Sequence, residues 1–117
     1  MTSKGRTKVS THVLDLVSGT PASGIAVKVL DARETLVSSA FTNEDGRIEL
    51  WDGVVDFGPG TYRLIFDVAN YRETQDDTEG GIFFPRIEIV FCVDGLRPRL
   101  HVPVLLSAYG YTTYRGS

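Results

Sequence analysis

A chain of 117 residues, 42% hydrophobic, 10% aromatic and 23% charged, has the length and composition of one globular domain spanning residues 1–117, which excludes disordered, collagen-like and coiled-coil classes. Twelve Lys and Arg against fifteen Asp and Glu leave a formal charge of -3, without the basic footprint that phosphate-backbone binding requires, so nucleic acid is excluded as a partner. The single cysteine, Cys92, closes no intrachain bridge, and no window approaches the ~20 apolar residues of a membrane span, so a reducing compartment and no membrane partner are expected.

The first segment, Met1 to Lys8, is polar and basic with no apolar run behind it and reads as neither signal peptide nor anchor. Beyond it, Gly and Pro punctuate the sequence every ten or so residues, with short β-branched and aromatic runs of period two between them. The runs predict strands at Lys8 to Leu16, Ile25 to Ala32, Leu36 to Thr42 and Arg47 to Leu50, then at Gly60 to Val68, Phe84 to Val93, Arg99 to Leu106 and Tyr111 to Arg115. Eight strands in one domain indicate an all-β sandwich. Ser18-Gly19-Thr20-Pro21 and Ala22-Ser23-Gly24 turn the chain after the first strand, and Asn43-Glu44-Asp45-Gly46 turns it before the fourth. The stretch Ala69 to Asp77 lacks β character and predicts one short helix, after which Gly80-Gly81 releases the chain. The last residues, Arg115-Gly116-Ser117, match neither a peroxisomal nor an ER-retention address, and a cytoplasmic location is expected.

Alternation assigns faces. Val9, Thr11 and Val13 form the inward set of the first strand, placing His12 outside with Ser10 and Leu14. Leu100, Val102, Val104 and Leu106 form the inward set of the seventh, placing His101 outside with Pro103 and Leu105. In the fifth, Tyr62, Leu64, Phe66 and Val68 face the core. Leu14, Leu16 and Leu105 on an outer face would expose an apolar patch, which predicts oligomerisation through that sheet. Two isolated histidines are commonly unrelated surface residues. With Arg47 opening a strand and Tyr111, Tyr114 and Arg115 in a polar tail, they would offer proton transfer near neutral pH and donors for an electron-rich oxygen.

No G-x-S-x-G elbow, G-x-G-x-x-G loop or Walker loop occurs, which disfavours serine catalysis and nucleotide binding; Gly58-Pro59-Gly60 is a turn. The histidines lack H-x-H or H-E-x-x-H spacing, so no metal is required, and Cys92 reads as a small apolar filler.

Four stretches carry a resemblance: Ser10-Thr11-His12-Val13-Leu14-Asp15, Asp45-Gly46-Arg47, Gly60-Thr61-Tyr62-Arg63-Leu64, and His101-Val102-Pro103 through Tyr114-Arg115-Gly116-Ser117. Together they resemble the 5-hydroxyisourate hydrolases, transthyretin-related proteins of purine catabolism, over nearly the whole chain. The closing tetrapeptide is the most specific part, separating the hydrolases from the hormone-carrying transthyretins of the same fold. Leu100 departs from the aromatic residue many relatives carry before the second histidine.

The resemblance implies a transthyretin-like sandwich of two four-stranded sheets with one short helix, assembled as a homotetramer, a dimer of dimers, with active sites in a channel between dimers. It implies hydrolysis of 5-hydroxyisourate to 2-oxo-4-hydroxy-4-carboxy-5-ureidoimidazoline without a cofactor. His12, Arg47 and His101 fall on the family's catalytic positions and Tyr114 on a substrate-contacting one, while Arg115, Gly116 and Ser117 complete the pocket wall. Either histidine could be the base. A carrier of apolar aromatic ligands would want an apolar channel, against the burial cost of unpartnered polar groups. An immunoglobulin-like interaction domain would want the Cys-Trp-Cys arrangement, and here Trp51 and Cys92 are each alone.

Overall fold

The computed structural model describes residues 6–54, 56–75 and 82–117. In chain order the elements are β1 Lys8–Asp15, β2 Thr20–Pro21, β3 Ala26–Leu30, β4 Leu36–Phe41, β5 Arg47–Ile48, β6 Gly60–Asp67, α1 Val68–Glu73, β7 Arg86–Val93, β8 Arg99–Leu106 and β9 Tyr111–Thr113. They form two layers: one sheet of order β2-β1-β8-β9 with β5 also paired to β1, and a second of order β4-β3-β6-β7. The β1·β8 pair is parallel and the others are antiparallel.

The two-layer sandwich with one short helix matches the sequence expectation, with one correction. The first sheet holds five strands and not four. The unexpected member is β2, which the sequence signals only as turn residues. Gly19, at a φ of 76°, donates its N–H to the Asp15 carbonyl at 2.8 Å and folds the chain back so that Leu14 pairs with Pro21. Further along β1, Thr11 and His12 pair with Ile48 and Arg47 of β5. Two short strands thus share one edge of β1 in succession.

Other boundaries shorten for stated reasons. β5 stops at Ile48 because Trp51 turns into the core, where its indole N–H donates to the Val9 carbonyl at 2.9 Å. β9 stops at Thr113, although the register Val104↔Thr113 continues to an isolated bridge His101↔Gly116. That register sets Tyr114 opposite Pro103, which has no N–H to donate, so the ladder lapses for two pairs and resumes at Gly116. The helix begins one residue earlier than expected because Asp67 leaves the strand as its N-cap, its carboxylate accepting from the Asn70 N–H at 3.1 Å. Its expected end at Asp77, and Gly80-Gly81, lie outside the described residues; the helix ends at Glu73 with Thr74 as cap.

Between the layers, Val9, Val13, Leu100, Val102, Val104 and Leu106 meet Val27, Val29, Leu64, Phe66, Ile87 and Val93. Each such side chain, buried, contributes roughly 1.5–3 kcal/mol. Phe57 lies edge-on between Trp51 and Tyr62, closing one end of the core. At the other end β1 turns a carboxylate inward: Asp15, 1% exposed, accepts from Tyr71 Oη at 2.8 Å and Arg72 Nη1 at 2.9 Å. Its second oxygen accepts from the Val17 N–H at 2.9 Å, and Arg72 Nη2 reaches the Ser107 carbonyl at 3.3 Å. This cluster ties α1 to the turns after β1 and β8. Burial and the Asp15 carboxylate push the Tyr71 hydroxyl's pKa well up, keeping it a donor.

Cys92 corrects a second expectation. It is exposed on the outer side of β7, 3.8 Å from Thr61 Oγ1, and fills no core space. No described helix is long and apolar enough to cross a membrane.

Candidate active site

The outer face of the β1·β8 pair is where the chemistry-bearing residues collect. Val9, Thr11, Val13 and Asp15 are buried, while Ser10, His12 and Leu14 emerge half-buried on the far side. On β8, Leu100, Val102, Val104 and Leu106 point inward and His101 and Leu105 emerge half-buried. Pro103 shares their face but is itself buried. The parallel register pairs Ser10 with His101 and His12 with Pro103, so the two histidines are diagonal neighbours, their Cα atoms about 8 Å apart by strand spacing and rise.

Arg47 reaches the same face through a turn written in the sequence. Asn43 Oδ1 accepts from the backbone N–H of Asp45 at 2.9 Å and of Arg47 at 3.0 Å, and Gly46 N–H donates to the Asn43 carbonyl at 2.8 Å. Gly46 adopts a φ of 74°, and a Cβ there would sit 2.5 Å from the Val13 carbonyl oxygen. Only glycine lets the turn lie this close to β1. The chain leaves it with Arg47 directly opposite His12.

From the other edge of β8, the C-terminal tail supplies the remainder. Residues opposed across a ladder share a face, so Tyr114, opposite Pro103, and Gly116, opposite His101, fall on the histidine side. The Gly116 N–H donates to the His101 carbonyl at 2.8 Å. Arg115 alternates to the other side of the tail, yet it borders a recess at the sandwich edge that His101 and Tyr114 also line, with Phe91, Leu100 and Val102. Ser117, exposed, follows the bridge. One face therefore gathers His12, Arg47, His101, Tyr114 and Gly116, and Arg115 meets His101 and Tyr114 at the recess beside it.

Electrostatics favour neutral imidazoles. Desolvation lowers the pKa of His12, and the Arg47 guanidinium lowers it further, against the Asp45 carbonyl and carboxylate. His101 is lowered by desolvation, then by Arg47 and His12, against Glu49 and the Ser10 carbonyl. Both can therefore accept a proton at neutral pH beside a fixed cation suited to a developing oxyanion. Among the described residues no group of three or more His, Cys, Asp or Glu side chains is arranged to hold a metal.

Sequence reasoning missed two residues. Ser10 Oγ lies 2.8 Å from His101 Nδ1, a contact that depends on the β1·β8 register, which no local pattern reveals. Glu49, just past β5, acts on His101 through space; a lone carboxylate between Ile48 and Leu50 gave no signal.

Comparison with known proteins adds an independent line. The profile of the HIUase/Transthyretin family matches residues 9–116. A 5-hydroxyisourate hydrolase of Salmonella dublin is 40% identical over 118 residues, covering 97% of this chain and 83% of its own. The solved 5-hydroxyisourate hydrolase of Klebsiella pneumoniae superposes with a TM-score of 0.81 at 29% identity, covering 95% of this chain and 99% of that one. Transthyretin from Sparus aurata superposes equally, with a TM-score of 0.81 and 29% identity over 95% of this chain and 97% of its own. With a profile spanning nearly every residue and a relative matched almost end to end, this chain belongs to the HIUase/transthyretin family.

Proposed function

We propose that this chain is a 5-hydroxyisourate hydrolase acting in urate degradation, and that His12, Arg47 and His101 carry the reaction. The carrying observation is the gathering of those three side chains on one sheet face, with both imidazoles held below their ordinary pKa. A neutral histidine takes a proton from water as its oxygen attacks a ring carbonyl carbon. Arg47 stabilises the charge building on the carbonyl oxygen. Collapse breaks the ring C–N bond, and the imidazolium returns its proton to the leaving nitrogen, giving 2-oxo-4-hydroxy-4-carboxy-5-ureidoimidazoline. Tyr114, Arg115, Gly116 and Ser117 form the substrate wall, and no cofactor takes part.

The histidine face is half open in one protomer, and Leu16 just beyond it is 49% exposed. A homotetramer built as a dimer of dimers would close that face into a cleft excluding bulk water, and through that cleft Arg115 of a neighbouring copy could reach the site. The protein works in the cytoplasm.

The second reading, a binding channel without chemistry, is favoured by the equal superposition on a transthyretin. Against it stands the composition of the face, where two imidazoles and a guanidinium would be desolvated against an apolar ligand that offers them no hydrogen bond. Freshly made 5-hydroxyisourate separates the readings: its absorbance should decay far faster with protein than without. Decay at the spontaneous rate removes the enzyme.

A further inference from the structure

Among the described residues, Ser10 is the one side chain hydrogen-bonded to either histidine ring, its Oγ 2.8 Å from His101 Nδ1. The other edge of the ring is also occupied: a Cβ built on Gly116 would lie 2.7 Å from His101 Cδ2, so the tail backbone packs flush against that carbon. Nδ1 and Cδ2 flank Cγ on its two sides. Held at both, the imidazole cannot turn over about its Cβ–Cγ bond without setting a C–H against the Ser10 hydroxyl and a nitrogen against the Gly116 backbone. The Cε1–Nε2 edge is left pointing away from both.

The hydroxyl can donate or accept, and the surroundings select. The Ser10 backbone carbonyl presents an oxygen to the same ring and favours its protonated form. Nε2 lies on the open edge, where its lone pair can meet substrate, which leaves the ring proton on Nδ1 with the Ser10 hydroxyl as its acceptor. We infer that Ser10 is a positioning residue for the hydrolysis, its hydroxyl accepting the Nδ1 proton so that His101 works through Nε2. This rests on the proposed function for its catalytic use, while the tautomer itself stands on the Ser10–His101 contact. It also explains why glycine precedes the last residue: any side chain there would drive the ring off the serine.

The test joins nitrogen NMR of the His101 ring to kinetics in the full-length protein. In the wild type, above the histidine titration, the proton should sit on Nδ1. In Ser10→Ala it should redistribute toward Nε2, with kcat falling about 10- to 100-fold, KM within about twofold and the melting temperature unchanged. Ser10→Thr, which keeps the hydroxyl, should restore both the tautomer and most of kcat. A wild-type ring protonated on Nε2, a Ser10→Ala enzyme at full kcat, or a threonine variant as impaired as alanine each overturns the proposal. A wild type that never accelerates decay of 5-hydroxyisourate removes the hydrolysis, and with it the catalytic use of Ser10, whereas the NMR result reports the tautomer whatever the turnover.

Discussion

Strand β1 sends polar side chains to both of its faces, and they meet opposite treatment. Inward, Asp15 is sealed from water and answered on both oxygens by Tyr71, Arg72 and a backbone N–H. Outward, His12 is half-buried beside a guanidinium that opposes its charge, and none of its ring atoms makes a hydrogen bond to a side chain among the described residues. Asp15 is satisfied by side chains and holds structure together; His12 meets only the Asp45 backbone carbonyl and stays available. Because a strand alternates strictly, three residues suffice to move from one regime to the other. Folding and chemistry can then be altered separately on the same eight-residue element.

That separation has a large expected signature on the inner side. Asp15→Ala strips the partner from a buried Arg72 and Tyr71 and should cost about 3–5 kcal/mol in denaturant unfolding, the loss typical of a broken buried pair. Specific activity per folded molecule should stay near wild type at low temperature. Conversely, Arg47→Ala removes an exposed side chain from the outer face and should lower kcat/KM by about 10²- to 10³-fold, or roughly 3 kcal/mol of transition-state stabilisation, with unfolding unchanged. A cooperative loss of stability in Arg47→Ala would erase the distinction between the two faces. Gly116→Ala should be milder, costing about 10- to 100-fold in kcat as the added carbon presses on the His101 ring, again at constant melting temperature.

How much of this could be read from the residues follows the range of the interaction. The faces of β1, β6 and β8 were legible because alternation is local, and the Asn43 to Gly46 turn because its side-chain and φ requirements are written in four residues. The β2 strand was not, since a two-residue pairing leaves no period. Nor was the Asp15–Arg72 pair, whose partners lie 57 residues apart and whose polarity argues against burial until both are seen together. Within the candidate site, His12 and His101 declared their shared face, but their adjacency needed the parallel register of two strands far apart in sequence. The resemblance to a known family supplied what periodicity could not.

The finest probe of the outer face is pH. Both histidines titrate below 6.5: desolvation and Arg47 act on each, and His12 adds to them at His101. Their neutral forms are the working ones, so kcat/KM should hold flat through neutrality and fall on acidification with an apparent pKa under 6.5, belonging to the pair because the rings interact. Folding should follow the same direction. Unfolded, the histidines take up protons near 6.5; folded, they do so only at lower pH, so acidification through that interval favours the unfolded chain and stability declines there. Glu49 is the handle that separates the two rings, since it holds the pKa of His101 up. Glu49→Gln should therefore push the acid limb of kcat/KM further down and shift the His101 ring most in an NMR titration. If the limb moved up, or the His12 signals moved instead, the charges around the two rings would have to be reassigned.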